Sequence, residues 1–274
     1  MESLKKLGIV AGSGNLPLVI IKECKRNNIE PVCVLVEGFA KPNNYEGIKN
    51  ISLRIGLVGK ALDFFNKNQV TKIVFAGSVQ KPSLSSVRTD LKGLGLLKQL
   101  IKNKLFGDNK VLETVVKFFE REGLFILKVD DILLNNKIKK GYEKQFENLD
   151  KKYLDDIQIG IKALKQMSSL DIGQSIVVQQ GMVIGVECIE GTADLIRRCG
   201  ELKYKEGRKP VLIKMKKHSQ TKKADIPVIG KDTIRQLEKA GFAGIAIDSD
   251  NCLVLDKETV LFKAEKLGIF VIGV

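Results

Sequence analysis

Short apolar runs alternate with longer amphipathic stretches along the first half of the chain. KLGIVAG (6–12) reads as a buried strand, and the loop SGNLP leads into a helix from about Leu16 to Arg26. PVCVLV (31–36), ISLRI (51–55), KIVFAGSV (72–79) and LFILKVD (124–130) are four further strand-like runs. Helical spacing recurs from Val58 to Asn68, near 91–104 and over 108–122. Strand and helix in this rhythm predict α/β architecture, a Rossmann-like parallel sheet domain over residues 1–131. The core strands carry Val, Ile and Leu on both faces, as strands covered on both sides do.

The region 132–155 breaks the rhythm: NNKIKKGYEKQFENLDKK is polar and charge-mixed, and reads as a linker. DIQIGIKALKQM (156–167) is an amphipathic helix, and SIVVQQGMVIGVE (175–187) a hairpin turning at Gln180-Gly181. The stretch 193–199 predicts a short helix with Thr192 as N-cap and Gly200 just past its end. VLIKMKK (211–217) alternates like a half-exposed strand, and DTIRQLEKAGF (232–242) is a helix closed by Gly241. GIAID (244–248) and CLVLD (252–256) are β runs joined by Ser249-Asp250-Asn251, then come a helix ending at Gly268 and the strand IFVIGV. Residues 156–274 thus predict a second domain, mixed α/β.

Composition narrows the chemistry. The 274 residues suffice for two ordinary domains, and 44% hydrophobic with 28% charged residues suits a folded protein. No apolar run reaches the roughly 20 residues that span a bilayer. The opening MESLKKLGIVAGSGNLP does not read as a signal peptide, so a cytoplasmic chain is expected. His218 is the single histidine, which excludes His-rich zinc sites and any mechanism using two imidazoles. The five cysteines form no CxxC pair and read as buried thiols. Net charge is +14, yet 38 of the 46 basic residues are lysine and aromatics make up only 6%. Nucleic-acid readers favour forked Arg contacts and stacking rings, so no nucleic-acid partner is expected. A phosphate-bearing substrate or an anionic membrane surface fits the charge. No coiled coil is visible, and the oligomeric state stays open.

Three segments carry candidate chemistry. AGSGNLP (11–17) joins the first strand to the first helix, where Gly12 and Gly14 allow a backbone to approach a phosphate. A dinucleotide fingerprint wants glycine where Pro17 stands, although Glu37 is placed like a ribose-binding acid. A turn without a ligand and a phosphate or sugar site remain alternatives. Glu187 and Glu190, three residues apart beside a helix start, suit a magnesium or phosphate-handling corner, or else cap the helix as solvated acids. In KMKKHSQTKKADIPVIG (214–230), Lys214, Lys216, Lys222 and Lys223 can neutralise a diphosphate. Asp225, on a loop stiffened by Pro227, can hold a metal or orient water. The plainer reading is a basic surface loop, with His218 solvated.

Taken in order, these segments resemble the LpxI-type UDP-2,3-diacylglucosamine pyrophosphatases of lipid A biosynthesis. The resemblance rests on GIVAGSGNLPL (8–18), AGSVQKP (76–82), Asp90 and LFGDN (105–109). It continues through DIGQSIVVQQGMVIGVECIEGT (171–192), the K-x-K-K-x-x-Q-x-x-K-x-D-x-P-x-x-G run (214–230) and AGFAGIAID (240–248). It implies magnesium-dependent hydrolysis of the substrate diphosphate to UMP and 2,3-diacylglucosamine 1-phosphate (lipid X), with a Rossmann-like domain and a catalytic α/β domain holding the lipid between them. It assigns Asp225, Glu187 and Glu190 to catalysis and Asp225 with Glu190 to the metal. Gly12, Ser13, Gly14, Asn15, Gln174, Thr192, Lys214, Gln220 and Lys223 would contact substrate. A cytoplasmic enzyme peripheral to the inner membrane is implied. The chain departs from the family pattern at Asn109, Ala193, Thr221, Lys223 and His218, and three of these changes remove or move a carboxylate. A non-catalytic lipid- or nucleotide-sugar-binding relative and a nucleotide-dependent oxidoreductase are the competing readings.

Overall fold

The computed structural model describes residues 4–80, 87–102, 108–141, 149–170, 172–216, 226–249 and 251–274. The described chain divides into two compact units, with the boundary between Leu134 and Asn135.

The first unit runs β1 (Lys6–Ala11), α1 (Leu16–Arg26), β2 (Glu30–Val36), β3 (Lys49–Leu53), α2 (Val58–Lys67) and β4 (Lys72–Ala76). It continues with α3 (Leu91–Lys102), α4 (Asp108–Arg121), β5 (Phe125–Ile126) and α5 (Val129–Ile132). The strands form one parallel sheet in the order β3-β2-β1-β4-β5. This is the predicted parallel sheet, and its strand order is doubly wound. Val32, Val34, Ile73 and Ile126 of the sheet pack with Leu62 and Phe65 of α2, Leu96 of α3 and Phe119 of α4. The strand read over 124–130 is shorter than its apolar run. Only Phe125 and Ile126 pair, with Lys72 and Ile73. Beyond them the Asp131 carboxylate accepts from the Lys128 amide at 3.3 Å and starts α5 instead.

The second unit comprises α6 (Lys151–Met167), β6 (Ser175–Gln179), β7 (Met182–Val186), α7 (Gly191–Leu202), β8 (Val211–Lys214) and β9 (Val228–Ile229). α8 (Lys231–Lys239), β10 (Gly244–Ile247), β11 (Leu253–Val254), α9 (Lys257–Lys266) and β12 (Phe270–Gly273) complete it. Its main sheet has the order β12-β10-β8-β6-β7, with β8, β10 and β12 parallel and the β6-β7 hairpin antiparallel. Gln180 and Gly181 take φ of 52° and 82°, the left-handed pair that a tight hairpin turn requires. Alternate strand residues serve two cores: Val177, Leu212, Ile245 and Val271 meet α7, α8 and α9, while Ile176, Ile213, Ala246 and Phe270 meet α6.

Several expectations are corrected here. α6 starts at Lys151, not 156, because Asp150 caps it by accepting from the Lys152 amide at 2.9 Å. β8 is not half-exposed: all four residues are buried, since helices cover both sheet faces. α7 starts earlier than predicted, so Thr192 lies inside it rather than capping it. Gly200 also lies inside α7, where a Cβ would meet that of Ala240 at 2.8 Å; it is a packing glycine, not a terminator. The two β runs read at 244–248 and 252–256 are both present, as β10 and β11, and they belong to different sheets, β11 pairing with β9.

Asp90 ties two helix starts together. Oδ1 accepts from the Gly93 amide of α3 at 2.7 Å and Oδ2 from the Lys60 amide of α2 at 3.0 Å. Burial acts to raise its pKa, but the amide bonds from Gly93, Gly59 and Lys60 outweigh it and hold the carboxyl below its ordinary value. Stability from a carboxyl held low is present above the ordinary value of 3.8 and disappears as pH falls through the folded-state pKa. Asp90→Ala is therefore expected to cost about 1 to 2 kcal/mol at neutral pH. In urea unfolding, the gap between wild type and variant should shrink as the medium is acidified below that range. A gap unchanged by acid contradicts the capping role.

Candidate functional site at the carboxyl edge of the second sheet

The parallel strands β8, β10 and β12 end along one edge of their sheet. β6 runs oppositely and pairs Ser175 with Lys214, so its first residue stands beside the last residue of β8. This edge is where open α/β sheets place ligands. The Met215 amide donates to the Gln174 carbonyl at 2.9 Å, and the Glu187 amide to the Ser175 carbonyl at 2.9 Å. A Cβ on Gly173 would collide with the Glu187 carbonyl, so the segment before β6 requires glycine there.

Lys214 is 4% exposed. A buried ammonium needs polar partners. Nζ donates to Thr192 Oγ1 at 2.7 Å and, at 3.5 Å, reaches Ser175 Oγ. The Thr192 hydroxyl in turn donates to Glu187 Oε2 at 3.0 Å. Ammonium, hydroxyl and carboxylate thus form a chain joining the end of β8, the first turn of α7 and the residue after β7. The structure brings Glu187, Thr192 and Lys214 together and adds Ser175, which the sequence reading passed over. Only the β6–β8 register reveals it.

Glu190 is turned to other work. Oε1 accepts from Arg198 Nη2 at 2.9 Å and Oε2 from the Cys188 amide at 3.1 Å. Its own backbone amide and the Arg198 guanidinium hold this carboxyl below its ordinary range. Arg198, which lies inside α7 while Glu190 stands just before its start, was also missed. Among the described residues no group of three or more His, Cys, Asp or Glu is placed to hold a metal. A guanidinium beside Glu190 disfavours a dication there, so Glu190 does not fit as a metal ligand in this arrangement. Glu187, a hard oxygen donor at the edge of the sheet, fits magnesium better. Asp225, Gln220 and Lys223 lie outside the described residues.

The first unit holds the other predicted group. β1 and β4 are neighbours where the strand order reverses. The Gly12 amide donates to the Ala76 carbonyl at 2.8 Å. Ser13 and Ser78 exchange amide bonds at 2.9 and 3.1 Å, and their hydroxyls lie 2.8 Å apart. A Cβ on Gly12 would meet the Ser78 carbonyl at 2.6 Å, so this glycine serves the close approach of two loops. The amides that would cradle a dinucleotide pyrophosphate are therefore engaged, and Pro17 in the first turn of α1 has no N–H to offer. That disfavours the oxidoreductase reading. Gly14, at φ 90°, and Asn15 are the exposed members of the loop.

Arg198→Ala should raise the Glu190 pKa toward its ordinary 4.5, with a residual depression from the backbone amide. Carboxyl NMR titration reads this directly, and an unmoved titration contradicts the pairing.

Comparison with known proteins follows the same lines. The LpxI N-terminal domain profile matches residues 6–136, and the LpxI C-terminal domain profile matches residues 143–272. A relative from Caulobacter vibrioides, named UDP-2,3-diacylglucosamine pyrophosphatase LpxI, is 32% identical, covering 99% of this chain and 98% of the relative. Among solved structures, an L-amino acid ligase from Bacillus licheniformis aligns over 73% of this chain and 43% of its own at 11% identity, with a TM-score of 0.27, too low to carry an argument. With both family domains matched in order and an end-to-end relative at this identity, the chain belongs to the LpxI family.

Proposed function

We propose that this chain hydrolyses the diphosphate of UDP-2,3-diacylglucosamine, releasing UMP and 2,3-diacylglucosamine 1-phosphate in lipid A biosynthesis. The observation that carries the reading is the 32% identity, over 99% of the chain, to a relative named for action on that substrate. The chemistry at the carboxyl edge of the second sheet supports it. A diphosphate repels an incoming oxygen nucleophile, so catalysis needs fixed positive charge where negative charge develops. Lys214 supplies such charge, with its ammonium buried and its position set by hydroxyls. An ammonium has three protons. In this reading Thr192 and Ser175 take two, and the third meets a phosphate oxygen.

Glu187 accepts the Thr192 proton and so turns that oxygen's lone pair toward Lys214. The family pattern assigns Gln220 and Lys223 to substrate contacts and Asp225 to catalysis, and in this reading Asp225 orients the attacking water. The family resemblance also assigns Gln174, Gly14 and Asn15 to substrate contacts. Magnesium, held by Asp225 and Glu187, would screen the phosphate charge and polarise the phosphoryl oxygen. With a net charge of +14 and a lipid substrate, the chain works as a cytoplasmic protein peripheral to the inner membrane in this reading.

The test is turnover of the lipid nucleotide in detergent, with UMP and the lipid phosphate both quantified. Lys214→Met should lower kcat by about 10²- to 10³-fold, the loss typical of removing one charge-stabilising donor. Asp225→Ala should abolish turnover, and chelation should stop it reversibly on magnesium return. Tight binding of the substrate without turnover at any magnesium level selects the non-catalytic relative instead.

A further inference from the structure

α3 is apolar on two opposite sides. Leu96 and Leu100 turn inward to the first unit's core. On the other side Leu91 is 89%, Leu94 40% and Ile101 55% exposed. At 100° per residue these three and Lys98 fall within about 80° of one another, so they form a single stripe along the helix. A core helix needs only one such face. The sequence LKGLGLLKQLIK carries three lysines and no acid. Lys92 is paired with Glu122, just past the end of α4, while Lys98 stands exposed within the apolar stripe.

We infer that this face of α3 is the surface by which the protein docks on an anionic lipid bilayer. Leucine and isoleucine would enter the headgroup boundary, while Lys98 extends its charged end to lipid phosphates. Charge complementarity selects this occupant. A second copy meeting the same face about a twofold axis would set lysine-bearing stripes against each other in a chain of net charge +14. The inference rests on the reading of the substrate as a membrane lipid, for which docking would bring the site to its substrate.

The experiment is co-sedimentation of the full chain with substrate-free vesicles of phosphatidylglycerol and phosphatidylethanolamine, beside phosphatidylcholine vesicles. Wild type should pellet with the anionic vesicles, less so at high salt, and not with the neutral ones. Leu91→Ser combined with Ile101→Ser, and separately Lys98→Glu, should each weaken binding about tenfold or more, in keeping with the joint apolar and electrostatic origin of interfacial binding. Both variants alter exposed side chains, and circular dichroism checks that they fold. Turnover of detergent-dispersed substrate should be unchanged. Equal pelleting of wild type and variants overturns the assignment. So does a wild-type dimer that becomes monomeric in the double variant without vesicle binding by either. Vesicle binding lost in the variants while neither protein turns over the lipid sinks the substrate reading but leaves the docking surface standing.

Discussion

The ammonium of Lys214 sits nearly sealed from solvent at the end of a central strand, and the second unit is organised around keeping it satisfied. Removing a charge from water is tolerable only where polar groups replace the lost hydration. Here the replacements come from three separate places in the chain: Ser175 opening β6, Thr192 in the first turn of α7, and Glu187 after β7, acting through Thr192. The Glu187 amide on the Ser175 carbonyl and the glycine contact at Gly173 lock the hairpin in the register that brings them there. A slip of one residue in β6 would turn Ile176 and Val178 away from their core and carry Ser175 away from Lys214 together. Core packing and the site are thus set by one register.

The two glycine-bearing loops show how differently the same residue type is used. Gly12 serves a backbone-to-backbone approach that engages its own amide. Gly173 serves an approach that positions a carboxylate-bearing residue. A glycine pattern alone therefore does not distinguish an anion site from a close-packed turn. Glu190 makes the same point for acids. Three residues from Glu187 in the chain, it is committed to Arg198 and the Cys188 amide, while Glu187 belongs to the lysine chain.

Much of the architecture was legible beforehand. The alternation of apolar runs and amphipathic stretches is a direct record of burial, because parallel strands covered on both faces must be apolar throughout and helices on one stripe only. That record placed the first unit's parallel sheet and the Gln180-Gly181 hairpin. It misjudged β8, because Lys214 and its neighbours look half-polar in sequence and are buried in fact. It also misread Thr192 and Gly200 as the ends of a helix that contains both. Local residue preferences describe what a turn tolerates, and a helix packed against its neighbour overrides them.

The sequence by itself determined the family, through ordered motifs running the length of the chain, and with it the residue types that diphosphate chemistry needs. It also determined the strand-and-helix rhythm, since both follow from which side chains must leave water. Tertiary structure alone decided which of those residues meet. Ser175 and Lys214 are 39 residues apart in the chain and adjacent in space only because β6 and β8 pair antiparallel. Glu187 and Glu190 are near in sequence and separated in role because one faces a lysine chain and the other an arginine. Contacts between distant segments depend on strand register and helix packing, which belong to the whole fold rather than to any stretch of the chain.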